Sequence, residues 1–160
     1  MASRATNDLT ERFRAKFSVF CMYLIEAGVP FVIAQTQRSI EESQDNIDKG
    51  TSWVENARSS RHVDAYLRGW DMHGADAADI VPYDTYLLHG PDKLQWDTSD
   101  PVWLKVRDAA YRAGLKWGVI KMVKGVATQV DPGHVYWDGS IYGPNYKPTA
   151  PAGTSGTLSA

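Results

Sequence analysis

The segment Ala77-Ala-Asp-Ile-Val-Pro-Tyr83 places one carboxylate inside an otherwise apolar run of strand length. A charge buried there is expensive unless it is paired, hydrogen-bonded or bound to a cation. Any fold that buries this strand must therefore bring Asp79 a partner from elsewhere in the chain. An arginine, a backbone amide or a metal ion would each serve.

The segments around this strand alternate without a regular repeat. Residues 8–27 put Leu9, Phe13, Phe17, Phe20, Cys21, Leu24 and Ile25 on one helical face, with Asp8 and Glu11 as a capping box and Gly28 as the stop. Pro30 opens the β-rich run Phe31-Val-Ile-Ala-Gln-Thr-Gln37, and Ser39 with Glu42 starts a helix ending near Gly50. Asp100-Pro101 caps a helix whose Trp103, Val106 and Ala110 share a face before Gly114. A strand is predicted from Leu115 to Met122, a turn over Gly125 to Gln129, and a last strand over Val135-Tyr-Trp137. The order α-β-α-β-α-β-β, with no βαβ repeat, predicts an α+β domain: a small antiparallel sheet with flanking helices. At 160 residues one domain is expected, over residues 1–147. Residues 148–160 hold only Pro, Thr, Ala, Gly, Ser and one Leu, the composition of a flexible tail.

Composition removes several functional classes. The net charge of -2 gives no counterion-release drive toward nucleic acid. The single Cys21 excludes an internal disulfide and a multi-cysteine zinc site, and its apolar setting predicts a buried thiol. The longest apolar run, Val19 to Ile25, falls far short of the roughly 20 residues that span a bilayer. Met1-Ala-Ser-Arg-Ala-Thr-Asn-Asp8 lacks the basic-then-apolar order of a secretory signal, so synthesis and release in a cytoplasm are expected. Trp103 and Trp117 read as core residues, whereas Trp53, Trp70, Trp96 and Trp137 are not placed by pattern, and Asp76, Asp84 and Asp97 read as turn or cap residues.

Four histidines remain as chemistry-bearing candidates: His62, His73, His89 and His134. His134 follows Asp131 across Pro132-Gly133, and a turn of that length can aim a carboxylate and an imidazole into one cavity, a general base beside a metal ligand. Two imidazoles and one carboxylate leave a fourth zinc position open to water, the pattern of a catalytic site. His62, Asp79 and His134 can supply that set.

Ser60-Arg-His62, Ala77-Ala-Asp79-Ile-Val-Pro-Tyr83 and Asp131-Pro-Gly-His134 resemble the three signatures of the M15 zinc peptidases, which comprise D-Ala-D-Ala carboxypeptidases and the L-alanyl-D-glutamate endopeptidases of phage lysis. Thr36-Gln-Arg38-Ser39 is similar to the family's segment before its second helix, and His89-Gly-Pro-Asp-Lys-Leu-Gln-Trp96 resembles phage endolysins of this type. The resemblance implies a Hedgehog/D-Ala-D-Ala-peptidase-like fold. It further implies His62, Asp79 and His134 as zinc ligands, Asp131 as general base, and Arg38 as the group that stabilises the substrate carboxylate or the oxyanion. Ser60 would be a supporting or substrate hydrogen-bond donor, and Trp137 could line a cleft for a peptide stem. For Arg38 the residues alone also allow a surface ion pair with Glu41 or Glu42.

Two departures from the family pattern stand out. His62 precedes Asp79 by 17 residues, a longer separation than the family's usual one, so an insertion must loop out between them, at small entropic cost. His73 is the rival first ligand, although it lacks the preceding Ser-x pair. Gly133-His134-Val135 stands in place of the family's Pro-His-Phe, which changes backbone freedom just before the ligand.

The function implied is a zinc-dependent phage endolysin that cuts the peptide stem of peptidoglycan at the L-Ala–D-Glu bond. It would be a monomer that waits in the host cytoplasm and acts on the periplasmic wall. A D,D-carboxypeptidase or dipeptidase of the same fold, or a non-catalytic zinc- or wall-binding module, are the alternatives.

Overall fold

The computed structural model describes residues 2–52, 54–83 and 93–138. Trp53, Asp84, His89 and the expected tail over 148–160 lie outside the described residues. Helix α1 (Glu11–Glu26) buries Phe13, Phe17, Phe20 and Leu24 completely, the heptad-like face expected from the sequence, while Ile25 at its end is exposed. Its N-cap is Thr10 rather than Asp8. The Thr10 hydroxyl accepts from Phe13 N–H at 3.1 Å and itself donates to Asp76 at 2.6 Å, so a tertiary contact has chosen the start of the helix. Helix α2 (Ile40–Asp48) begins with the expected Ser39/Glu42 capping box. Helix α3 (Val102–Arg112) has Asp100 accepting from Val102 N–H at 2.8 Å and packs Trp103, Val106 and Ala110 against α1.

Strands β1 (Phe31–Gln35), β2 (Ala77–Pro82), β3 (Lys116–Trp117) and β6 (His134–Tyr136) form one antiparallel sheet in the order β1-β2-β6-β3. Ala78, Ile80, Val135 and Trp117 from this sheet join the core under α1 and α3. Because side chains alternate along a strand, Asp79 and His134 point to the opposite face. Register then sets the site: Gln35 opposes Asp79 in β1–β2, and Asp79 opposes His134 in β2–β6, so one row crosses three strands.

The strand predicted over Leu115 to Met122 is two strands. Gly118, at φ +72°, breaks it, leaving β3 in the main sheet and sending β4 (Ile120–Val123) into a separate hairpin with β5 (Val126–Gln129). The predicted turn over Gly125 to Gln129 is correspondingly shorter. Lys124 and Gly125, at φ +50° and +79°, make a two-residue turn with both central residues left-handed, as hairpin twist favours.

Candidate metal centre and active site

The 17-residue separation between His62 and Asp79 closes in space. His62 lies in the loop between two short 3-10 turns, Ala57–Ser59 and Ala65–Arg68, anchored where its carbonyl accepts from Arg38 N–H at 3.0 Å. Its imidazole is buried, and Nδ1–H donates to the Thr36 carbonyl, an acceptor only. That bond turns Nε2, with its lone pair, toward the sheet. There it stands 3.2 Å from Asp79 Oδ1 and 3.2 Å from His134 Nδ1, which is itself 3.0 Å from Asp79 Oδ1. The three form the cluster that could hold a metal ion among the described residues.

The donor set fits a small dication. Zinc bonds of about 2.0 Å in a tetrahedron separate ligand atoms by about 3.3 Å, close to the spacings found. Two nitrogens and one oxygen are the ligand types zinc prefers, and they leave a position facing a cavity of about 90 Å³ lined by Arg38, Ser60 and Asp131. Burial alone would raise the Asp79 carboxyl, but the charges and hydrogen bonds of His62 and His134 hold it well below the ordinary carboxylate range.

Asp131 faces the same cavity. Desolvation, reinforced by the Asp79 charge, pushes its pKa up to about 6. The Asp131–His134 turn is fixed on every side: Ile80 N–H donates to Gly133 O at 3.0 Å, Trp117 Nε1–H donates to Pro132 O at 2.7 Å, and Gly118 N–H donates to His134 O at 2.6 Å. A Cβ at Gly133 would come within 2.3 Å of the Ile80 carbonyl oxygen. The glycine before the ligand is thus explained by close backbone approach to β2 more than by added freedom.

Among the described residues the ion pair of Arg38 is with Asp79, and the Glu42 carboxylate accepts from Ser39 N–H at 3.0 Å in the capping box. The Arg38 guanidinium donates to Gln35 and lies 3.8 Å from Asp79, while its buried Nε has no partner among the described residues. Ser60 is buried beside His62, whose N–H reaches its hydroxyl at 3.4 Å.

Other residues singled out from the sequence lie elsewhere. His73 is exposed, 3.1 Å from Asp64 and stacked on Tyr66, so it does not join the cluster. Trp137 leaves β6 on the face opposite His134, where the Arg12 guanidinium lies 4.3 Å over its ring. The residue that shares the His134 face is Tyr136, its ring centroid 5.2 Å from the imidazole. Asp76, read as a turn or cap residue, is fully buried and bound by Thr10, Arg12 and Arg68. Its setting between Ala75 and Ala77 was the available signal, the same kind that marked Asp79.

Residues 4–135 match the family of phage L-alanyl-D-glutamate peptidases. The chain belongs to that family. The peptidase is accordingly a phage endolysin, an endopeptidase that hydrolyses peptidoglycan. Its fold is similar to that of a solved L-Ala D-Glu endopeptidase of Serratia marcescens, ChiX, at 19% identity and a TM-score of 0.53 over 86% of this chain and 89% of that one. No curated protein matches the peptidase significantly. None of its described helices is long and apolar enough to cross a membrane.

Proposed function

We propose that this peptidase cuts the L-Ala–D-Glu bond of the peptidoglycan stem with a zinc ion held by His62, Asp79 and His134. The observation that carries the reading is the convergence of His62 Nε2, Asp79 Oδ1 and His134 Nδ1 to mutual spacings of 3.0 to 3.2 Å. Zinc at such a site supplies a water of lowered pKa and polarises the scissile carbonyl. Around it the chain's own groups divide the remaining work. Asp131 accepts a proton from the attacking water and returns it to the leaving amine. Arg38, whose buried Nε has no partner among the described residues, offers charge-assisted donors to the substrate carboxylate or to the developing oxyanion. Thr36 fixes the His62 tautomer through its carbonyl, and Ser60 holds the backbone beside it or donates to substrate. Trp137, packed on Arg12, would reach a peptide stem only beyond the cavity that holds the cluster.

In this reading residues 1–147 act as one catalytic unit and as a monomer, stored in the host cytoplasm until the murein layer becomes reachable. Metal analysis by mass spectrometry together with murein digestion tests the chemistry. The wild-type protein should carry one zinc and lose turnover to a chelator. Asp131→Ala should keep the zinc and lose most turnover, whereas His134→Ala should lose both. Murein digestion at the wild-type rate by Asp131→Ala would remove Asp131 from the role of base. Mass spectrometry of the new termini reads out the bond, with D-Ala release pointing to the carboxypeptidase alternative.

A further inference from the structure

Gln129 ends β5 and is 4% exposed, and nothing in the sequence marks it. Its side-chain Oε1 accepts two backbone hydrogen bonds, from Val119 N–H at 2.8 Å and from Asp131 N–H at 3.0 Å. These amides sit at the two feet of the β4–β5 hairpin. A parallel tie, Val130 N–H to Val119 O at 2.9 Å, closes the same gap. One oxygen therefore joins the entry to the hairpin with the first residue of the turn that carries Asp131 and His134.

The far side of the same amide rests on Gly118. A Cβ built there would come within 2.0 Å of Gln129 Nε2, and the residue's φ of +72° disfavours side chains independently. Nε2 itself has no partner among the described residues. Burying an unpaired donor is unfavourable, so as packing material a methionine or leucine would serve better. What an amide does here, and an apolar side chain of equal size cannot, is accept those two N–H groups.

We propose that Gln129 is a positioning residue for Asp131, holding the backbone from which the general base reaches the cavity. This rests on the reading of Asp131 as base. The effect is expected on turnover rather than on metal affinity, because the β-ladder with Asp79 holds His134 without using Gln129.

The test uses the full-length, zinc-loaded protein on solubilised muropeptides carrying the L-Ala–D-Glu bond. Gln129→Met, which keeps the volume and removes the acceptor, should lower kcat by about tenfold to a hundredfold, the scale of a misplaced catalytic group, with KM and zinc content unchanged. Gln129→Glu, which keeps an oxygen toward both amides, should restore most of kcat. In an Asp131→Ala background the Gln129→Met change should have no further effect. If Gln129→Met does not fold, Gln129→Asn, whose amide stops one methylene short, takes its place with the same expected split. Wild-type kcat in the acceptor-less variant, or loss of zinc and kcat together, overturns the proposal. Full turnover by Asp131→Ala alongside a defective Gln129→Met would overturn the base assignment and this proposal together. A defective Asp131→Ala with a normal Gln129→Met would remove only the latter.

Discussion

Asp76 and Asp79 stand three residues apart at and just before β2, and they solve the problem of a buried carboxylate in opposite ways. Asp76 is enclosed. Thr10 reaches it at 2.6 Å, Arg12 at 3.1 and 2.6 Å, and Arg68 at 2.7 Å, and Arg12 is in turn sandwiched 4.3 Å from both Trp70 and Trp137. Asp79 retains 24% side-chain exposure at the edge of a cavity and stands 3.0 and 3.2 Å from two imidazole nitrogens, with the Arg38 guanidinium farther off at 3.8 Å. Guanidinium groups are permanently charged and have no lone pair to offer, so they satisfy a carboxylate completely. An imidazole nitrogen can present a lone pair beside the carboxylate oxygen, and that combination is completed by a cation. The lesson is that the charge state open to the partner, more than the burial of the acid, separates a structural carboxylate from a ligand.

The sharpest way to break this contrast is to neutralise each acid in turn. Asp79→Asn should abolish stoichiometric zinc and lower turnover by about a thousandfold, several kcal/mol of lost charge stabilisation at about 1.4 kcal/mol per tenfold, while leaving the apo protein folded. Metal content and kcat/KM measured together check it, and an active, zinc-replete Asp79→Asn would end the ligand assignment. Asp76→Asn should do the reverse: destabilise by about 3 kcal/mol, since two half-buried arginines lose their counter-charge, yet retain zinc at saturation. Denaturant unfolding gives the value.

The same acid predicts a pH signature. Burial opposes ionisation of Asp76, but the Arg12, Thr10 and Arg68 hydrogen bonds and the Arg12 charge lower its pKa below the ordinary value. A carboxyl with a depressed folded pKa contributes stability above its unfolded pKa of about 3.9, and loses it as pH falls through the folded value. The gap in Tm between wild type and Asp76→Asn should therefore be widest near neutrality and narrow below about pH 4. A gap independent of pH would show that the carboxylate's charge is not what matters there.

Smaller changes sharpen the comparison at its edges. Trp70→Ala removes one face of the Arg12 sandwich and should cost about 0.5 to 2 kcal/mol without altering turnover. His73→Ala breaks an exposed pair with Asp64 and a surface stack on Tyr66, for an expected loss below about 1 kcal/mol and unchanged zinc stoichiometry. Loss of zinc from His73→Ala would reopen the choice of first ligand.

Much of this is legible in the sequence. The Phe13-Phe17-Phe20-Leu24 face, the Ser39/Glu42 cap and the core placement of Trp103 and Trp117 follow from spacing and local chemistry, and the structure has each of them. Gly118 was not readable as a strand break, because a single glycine inside Leu115–Met122 is also compatible with a continuous strand; pairing with β6 on one side and β5 on the other decided it. Asp8 and Glu11 offered a plausible cap, and Thr10 displaced it through a hydrogen bond to Asp76, a residue 66 positions away. Nearness to His134 in the sequence suggests a place for Trp137 beside the site, but the alternation of a strand sends it to the other face.

What the sequence alone determined is which residue types needed help: a carboxylate in an apolar strand, histidines with no structural excuse in their own segments, and a turn that pairs an acid with an imidazole. What only the tertiary structure decided is who meets whom. Arg12 and Arg68 went to Asp76, His62 and His134 went to Asp79, and Gln129 reached across the feet of a hairpin to the Val119 backbone. Local periodicity fixes the face on which a side chain emerges. Partners separated by 8 to 72 residues are chosen by strand register and by the packing of loops over the sheet, and neither is written in any one segment.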